Sequence, residues 1–326
     1  MSHFRILGFG HAIVDLLAKA SINTIHQHHI KHGGMTLVDP ENVKPLLQDL
    51  DITVKAPGGS TANTIRYLAN LGHSTGFIGG IGDDINGDFF NECYSKARIQ
   101  TPQQCHIEHA DNHFSVICIT PESERSMATF INEALAITPT MIDNEWLEIS
   151  EFIYIEAYLW NHSTSRNSIL AMADKAMSMD KKIIITLADS LCIKQNLEAL
   201  QSFCFEKADY VFANHEEICT LMETTHIDEA KYQCKQKNNV TWIITEGKHG
   251  ACVIKGMEYV HLPAVSVPKV IDKTGAGDFF AGGFIHGLLN NKSLLECGIS
   301  GSKAAAKVIQ QIGTQLPFKV NSLIQR

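Results

Sequence analysis

Short apolar runs alternate with amphipathic stretches along most of the chain. Residues 6–9, 76–81, 152–156, 183–187, 210–212 and 241–245 are apolar or β-branched segments of strand length. Residues 61–71, 87–98, 164–179, 216–222, 276–289 and 294–311 carry apolar positions at helical spacing. This strand–helix rhythm predicts an α/β, doubly wound fold: a mostly parallel sheet with helices on both faces. Two stretches break the rhythm. Residues 12–39 hold short apolar–polar alternations around a His-rich segment, and 112–131 read as a hairpin, HFSVICIT then PESE then RSMATFI. They predict a small β-sheet outside the main layer, a lid assembled discontinuously from about 12–39 and 110–131. With no linker between the rhythms, the whole 1–326 is expected to be one domain.

Composition narrows the class. With 27 Lys+Arg against 35 Asp+Glu the formal charge is −8. Nucleic-acid and membrane-surface proteins usually carry a basic excess, so neither partner is expected. Nine cysteines form no CxxC pair. An odd, scattered set reads as reduced core thiols of a cytoplasmic protein. No apolar run approaches the roughly 20 residues of a membrane span, and no targeting segment is expected.

Three segments carry candidate chemistry. In VIDKTGAGDFFAGGF (270–284) a Gly-rich turn opens a long helix. The amides of Gly275, Ala276 and Gly277 are expected to be free at the positive end of the helix dipole, an anion trap suited to phosphate. Asp278 falls in the first helical turn. The dipole is expected to lower its pKa and keep it ionised, ready to take a proton from an attacking hydroxyl. In PGGSTAN (57–63), Gly58 and Gly59 permit close approach of a ligand to backbone, and Asn63 offers a donor and an acceptor. In GFGHAIVD (8–15), Ile13 stands where a dinucleotide fingerprint needs glycine, which argues against a dehydrogenase. What remains is Asp15, a carboxylate able to accept two hydrogen bonds from a vicinal diol. The chain has neither a GxxxxGK[ST] loop nor the protein-kinase motifs. The histidines at 26, 28, 29 and 32, and those at 106, 109 and 113, lack the partners of a metal site and read as ordinary polar residues.

These segments, in this order, resemble the ribokinase-like (PfkB) family of carbohydrate and nucleoside kinases. DKTGAGD (272–278) and GGSTAN (58–63) carry the resemblance, supported by IGDDINGDFF (81–90), NHEE (214–217) and TEGKHG (245–250). Within the family the chain is most similar to the adenosine kinase branch, on GHAIVDLLA, GGMTLVD (33–39), GGSTAN and GTQLP (313–317). The resemblance implies a lidded α/β domain that transfers the ATP γ-phosphoryl group to the 5′-hydroxyl of adenosine or a similar nucleoside. A sugar kinase of the ribokinase or fructokinase kind, or a silent nucleoside-binding relative, is the alternative. It implies Asp278 as general base, the 275–277 backbone as anion hole, and Asp15, Gly59 and Asn63 on the ribose, with Tyr158 stacking on the base. Arg125 would approach the phosphates. Asn214 and Glu217 would organise Mg²⁺ through water, and Thr245, Gly247 and Gly250 would border the nucleotide. Asp272, Thr274 and the loop near Gly313 would neighbour a monovalent cation such as K⁺. His11 replaces the family's usual Asn, and Lys273 replaces its usual Thr, Ser or Pro. A monomer or a homodimer is compatible with the family.

Overall fold

The computed structural model describes residues 3–121 and 124–314. Its strands are β1 (Phe4–Phe9), β2 (Ile13–Lys19), β3 (Met35–Leu37), β4 (Ile52–Gly58), β5 (Thr75–Ile78), β6 (Ile81–Gly82), β7 (His106–Ile107), β8 (Phe114–Ile119), β9 (Arg125–Phe130), β10 (Ser150–Glu156), β11 (Lys182–Thr186), β12 (Tyr210–Asn214), β13 (Thr241–Thr245), β14 (Ala251–Lys255) and β15 (Glu258–Leu262). Its α-helices are α1 (Ile22–Gln27), α2 (Pro40–Asp49), α3 (Ser60–Asn70), α4 (Ile85–Lys96), α5 (Asn144–Glu148), α6 (Ser163–Ser178), α7 (Ser190–Gln195), α8 (Leu197–Glu206), α9 (His215–Leu221), α10 (Ile227–Gln236), α11 (Ala276–Leu289) and α12 (Leu294–Val308).

The main sheet has eight strands in the order β15-β14-β13-β12-β11-β10-β1-β5. Pairing is parallel from β5 through β13 and antiparallel for the last two strands. Both faces are covered, so the interiors of the central strands read as near-continuous apolar runs. Ile153, Ile155, Ile183 and Ile185 enter one core with helices such as α6. Tyr154, Ile184, Phe212 and Ile243 enter the opposite core with Ile65 and Leu68 of α3 and Phe280 and Phe284 of α11. Alternation along each strand therefore feeds two cores. Helix α11 sits tightly among its neighbours because it is small-sided. A Cβ on Gly282 would lie 2.6 Å from the Tyr67 ring, and one on Gly283 2.6 Å from the Ser300 carbonyl.

The second sheet has five strands in the order β3-β9-β8-β2-β4. One face carries Leu16, Val116 and Ala128 into a small core with Ile25 of α1 and Val43 and Leu46 of α2. The other face turns toward the main domain, as the contacts of Arg125 with Thr274 show. This sheet draws β4 from 52–58, outside the ranges expected from the sequence.

Most element boundaries lie within two residues of the expectations. The strand expected over 76–81 ends at Ile78. A Cβ at Gly79 would lie 2.2 Å from the Gly10 carbonyl oxygen, so the chain turns where two backbones meet. The helix expected to reach 311 ends at Val308, followed by a turn that brings Gly313 to the site. Gln315, Leu316 and Pro317 of the GTQLP segment lie outside the described residues.

Candidate active site

The C-terminal ends of the parallel strands, where open α/β sheets bind ligands, gather the candidate residues. Strand β10 ends on Glu156, β12 on Asn214 and β13 on Thr245, with Asn214 and Thr245 side by side in register. Helices α3 and α11 begin near Asp278, which both Ser60 and Asn63 of α3 reach.

Asp278 is held from two sides. Ser60 Oγ donates to its Oδ1 at 2.7 Å, and Asn63 Nδ2 donates to its Oδ2 at 2.9 Å. The expectation that the helix dipole keeps its pKa low is corrected. Desolvation outweighs the bonds from Asn63 and Ser60 and lifts the carboxyl from 3.8 to about 6. It stays mostly ionised at neutral pH and is a stronger base than an ordinary carboxylate.

The anion loop is also corrected in one member. Gly275 caps α11 in the left-handed region, φ +70°, and the amides of Gly275 and Gly277 have no partner among the described residues. The Ala276 amide instead turns back to the Lys273 carbonyl at 3.2 Å. Two amides, rather than three, are available to an anion. The Lys273 side chain is exposed, pointing to solvent.

Asp15 lies on β2, 8% exposed. A Cβ on Gly58 would lie 2.3 Å from its Oδ1, so glycine there leaves the carboxylate its space. Burial raises its pKa to about 7 against the opposing charges of Arg66 and Arg125, and the neighbouring carboxylates of Asp278 and Asp272 push it the same way. Gly59, φ +94°, admits no Cβ: it would lie 2.3 Å from the His11 carbonyl oxygen. Three residues that the sequence reading gave no role organise this floor. Ser60 holds Asp278. Glu156, 1% exposed, accepts from the His11 and Thr61 amides at 3.0 and 2.9 Å and bonds His11 Nδ1 at 2.6 Å. It thereby ties the 10–11 turn to the start of α3. Arg66 donates to the Thr314 carbonyl at 2.6 Å and Thr314 Oγ1 at 3.0 Å, and lies 3.4 Å from Asn63 Oδ1. A Glu ending the otherwise apolar run FIYIE was a legible signal. Arg66, buried in a buried helix, gave none.

On the second candidate subsite, Asn214 and Glu217 form a reciprocal capping box on α9. Both Glu217 oxygens accept from Asn214, at 2.9 and 2.5 Å. Burial raises the Glu217 pKa to about 7, and the Asp278 charge contributes to the rise. Gly247 and Gly250, both at positive φ, make the β13–β14 turn beside Thr245. Tyr158 packs against the larger core and feels the charges of Asp189, Glu156 and Glu217; its hydroxyl is 3.5 Å from the Ala188 carbonyl. Arg125, from β9, contacts Thr274 and Asp272. Around Asp272, Oδ1 accepts from the Thr274 amide and hydroxyl at 2.8 and 2.6 Å, and Oδ2 from the Gly313 amide at 2.8 Å.

Register shows what else lines the inward face of the smaller sheet, because residues directly opposite share a face. Asp15 is level with Ala56, Ser115 and Thr129. The next row is Val54, Leu17, Ile117, Met127 and Met35, apolar across all five strands. Beyond it Ile119 pairs with Arg125.

The family model described as pfkB family carbohydrate kinase matches residues 35–321. Adenosine kinase 1 of Arabidopsis thaliana is 24% identical over 338 residues, covering 96% of each chain. The crystal structure of adenosine kinase from Sinorhizobium meliloti superposes with a TM-score of 0.91 at 29% identity, covering 98% of each chain. A probable sugar kinase from Rhizobium etli gives 0.90 at 29% identity, over 99% of this chain and 98% of that one. The family match over residues 35–321, on this shared fold, places the chain in the pfkB family of carbohydrate kinases, phosphotransferases that act on a hydroxyl acceptor.

Proposed function

We propose that the acceptor is a nucleoside, adenosine or a close analogue, phosphorylated on its 5′-hydroxyl by ATP. The observation that carries this reading is the apolar row Val54, Leu17, Ile117, Met127 and Met35 next to Asp15. A free sugar presents hydroxyls and gains nothing from such a wall, whereas a purine gains the burial of a flat apolar face. The adenosine kinases among the relatives support the same choice.

In this reading Asp15, aided by the Gly59 backbone and Asn63, holds the ribose diol, and Tyr158 borders the acceptor on the Glu156 side. Asp278 takes the 5′-hydroxyl proton as the oxygen attacks phosphorus. The amides of Gly275 and Gly277 face the charge that develops on the transferred group. The smaller sheet acts as the lid, excluding water and fixing the approach of the two reactants. ATP supplies the phosphoryl group, bordered by Thr245, Gly247 and Gly250. Glu217 fits a Mg²⁺ site held through water: it is a buried carboxylate whose oxygens, among the described residues, meet only Asn214. The Asp272 turn fits K⁺ less well. Every described group on its oxygens is a donor, and a guanidinium already lies beside it. Free cysteines, eight of nine buried, support a cytoplasmic setting. Among the described residues no helix is long and apolar enough to cross a membrane.

Isothermal titration tests the acceptor. Adenosine should bind roughly 100-fold more tightly than ribose, the effect of burying one base face. Equal affinities would favour the free-sugar reading that the Rhizobium etli relative's description suggests.

A further inference from the structure

Arg125 belongs to the lid, yet its guanidinium is anchored in the main domain. Nη1 donates to Thr274 Oγ1 at 2.6 Å, and Nε lies 3.5 Å from Asp272 Oδ1. The Thr274 hydroxyl in turn donates a hydrogen bond to that same Asp272 oxygen at 2.6 Å. Asp272 is 3% exposed, and a carboxylate this buried requires a counter-charge. Arg125 supplies it. The next residue after Thr274 is Gly275, whose left-handed conformation aims the anion loop. The chain Arg125–Thr274–Asp272–Gly313 therefore joins the lid, the anion loop and the segment after α12.

We propose that Arg125 is a positioning residue whose guanidinium is the resident cation of the Asp272–Thr274 turn, standing where a monovalent metal ion would otherwise be needed and tying lid closure to the setting of the anion loop. A metal cation needs acceptor oxygens and no like charge beside it. Here the oxygens of Asp272 already meet donors, one of them cationic. Arg125 also bears electrostatically on Asp15 and Asp278, so one lid side chain offsets three site carboxylates. Its consequence for phosphoryl transfer rests on the kinase reading; its occupation of the cation site does not.

The experiment compares the full-length protein with Arg125→Gln and Arg125→Lys in KCl and in choline chloride at equal ionic strength. Melting temperature and initial rate are read for each. The wild type should show no K⁺-specific, saturable rise in melting temperature, and its rates in the two salts should agree within about twofold. Arg125→Gln should lose roughly tenfold or more in rate, then gain both a K⁺-specific melting shift and partial recovery of rate. Arg125→Lys keeps the charge and should remain insensitive to K⁺. A saturable K⁺ response in the wild type would overturn the proposal. So would an Arg125→Gln protein that K⁺ neither stabilises nor activates, because Arg125 would then be an ordinary lid contact. If no acceptor is phosphorylated by any form, the kinase reading fails, and the melting comparison still decides the cation.

Discussion

At the scale of single residues, the site's behaviour rests on carboxylates held out of water. Asp278, near pKa 6, is the proposed base. Asp278→Asn should lower kcat by roughly 10²–10⁴ while leaving the dissociation constant for adenosine within a few-fold, because the amide keeps the shape and loses the basicity. Stopped turnover assays and titration check the two halves separately. Asp15 gives a pH signature. Its folded pKa, about 7, lies above the ordinary 3.8. Between those values the folded chain binds a proton that the unfolded chain has released, so Asp15 costs stability as pH rises through about 4 to 7. Asp15→Asn should therefore melt higher than the wild type at pH 8, with the difference vanishing near pH 4. The comparison must be made against wild type, since His73, lowered to about 4 by burial, pulls stability in the opposite direction over part of the same range. If the ionised form of Asp15 grips the diol, nucleoside affinity should fall roughly tenfold per pH unit below about 7. Affinity independent of pH from 5 to 8 would remove Asp15 from that role.

At the scale of elements, the capping of α11 is what aims the proposed anion loop. Gly275→Ala places a side chain at φ +70° and its Cβ 2.6 Å from Thr314 Cγ2. The left-handed strain is roughly 1–2 kcal/mol, and the displaced loop should cost catalysis more than folding. A kcat reduced at least about tenfold with a melting temperature within several degrees is the expected result in paired rate and melting assays. This element was legible in the chain. The Gly-rich turn followed by a long apolar run marked α11 over 276–289, and its observed span is Ala276–Leu289. Strand β13, a compact β-branched run, was equally plain. Helix α2 was not expected: its sequence carries Pro45 in the helix interior, and its buried face is only Val43 and Leu46. Strand β4 was missed because its apolar positions are broken by Thr53, Lys55 and Pro57. The site followed the same logic. Local signals singled out Asp278 and the glycines as candidates, but the raised pKa of Asp278 depends on burial by segments distant in sequence. The Arg66–Thr314 bonds span 248 residues and leave no local trace.

At the scale of the whole molecule, two sheets divide the work. The eight-stranded sheet supports the proposed base and anion loop, and the five-stranded one brings one carboxylate, an apolar row and an arginine to face them. The central claim is that this combination phosphorylates a nucleoside with Asp278 as base. Its most direct test gives the wild type ATP, Mg²⁺ and an equimolar mixture of adenosine, inosine, ribose and fructose, and identifies products by mass spectrometry, with Asp278→Asn run in parallel. A nucleoside 5′-monophosphate as the dominant product, nearly absent with the variant, is the expected result. A sugar phosphate as the main product, or a variant that keeps the wild-type rate, would contradict the account.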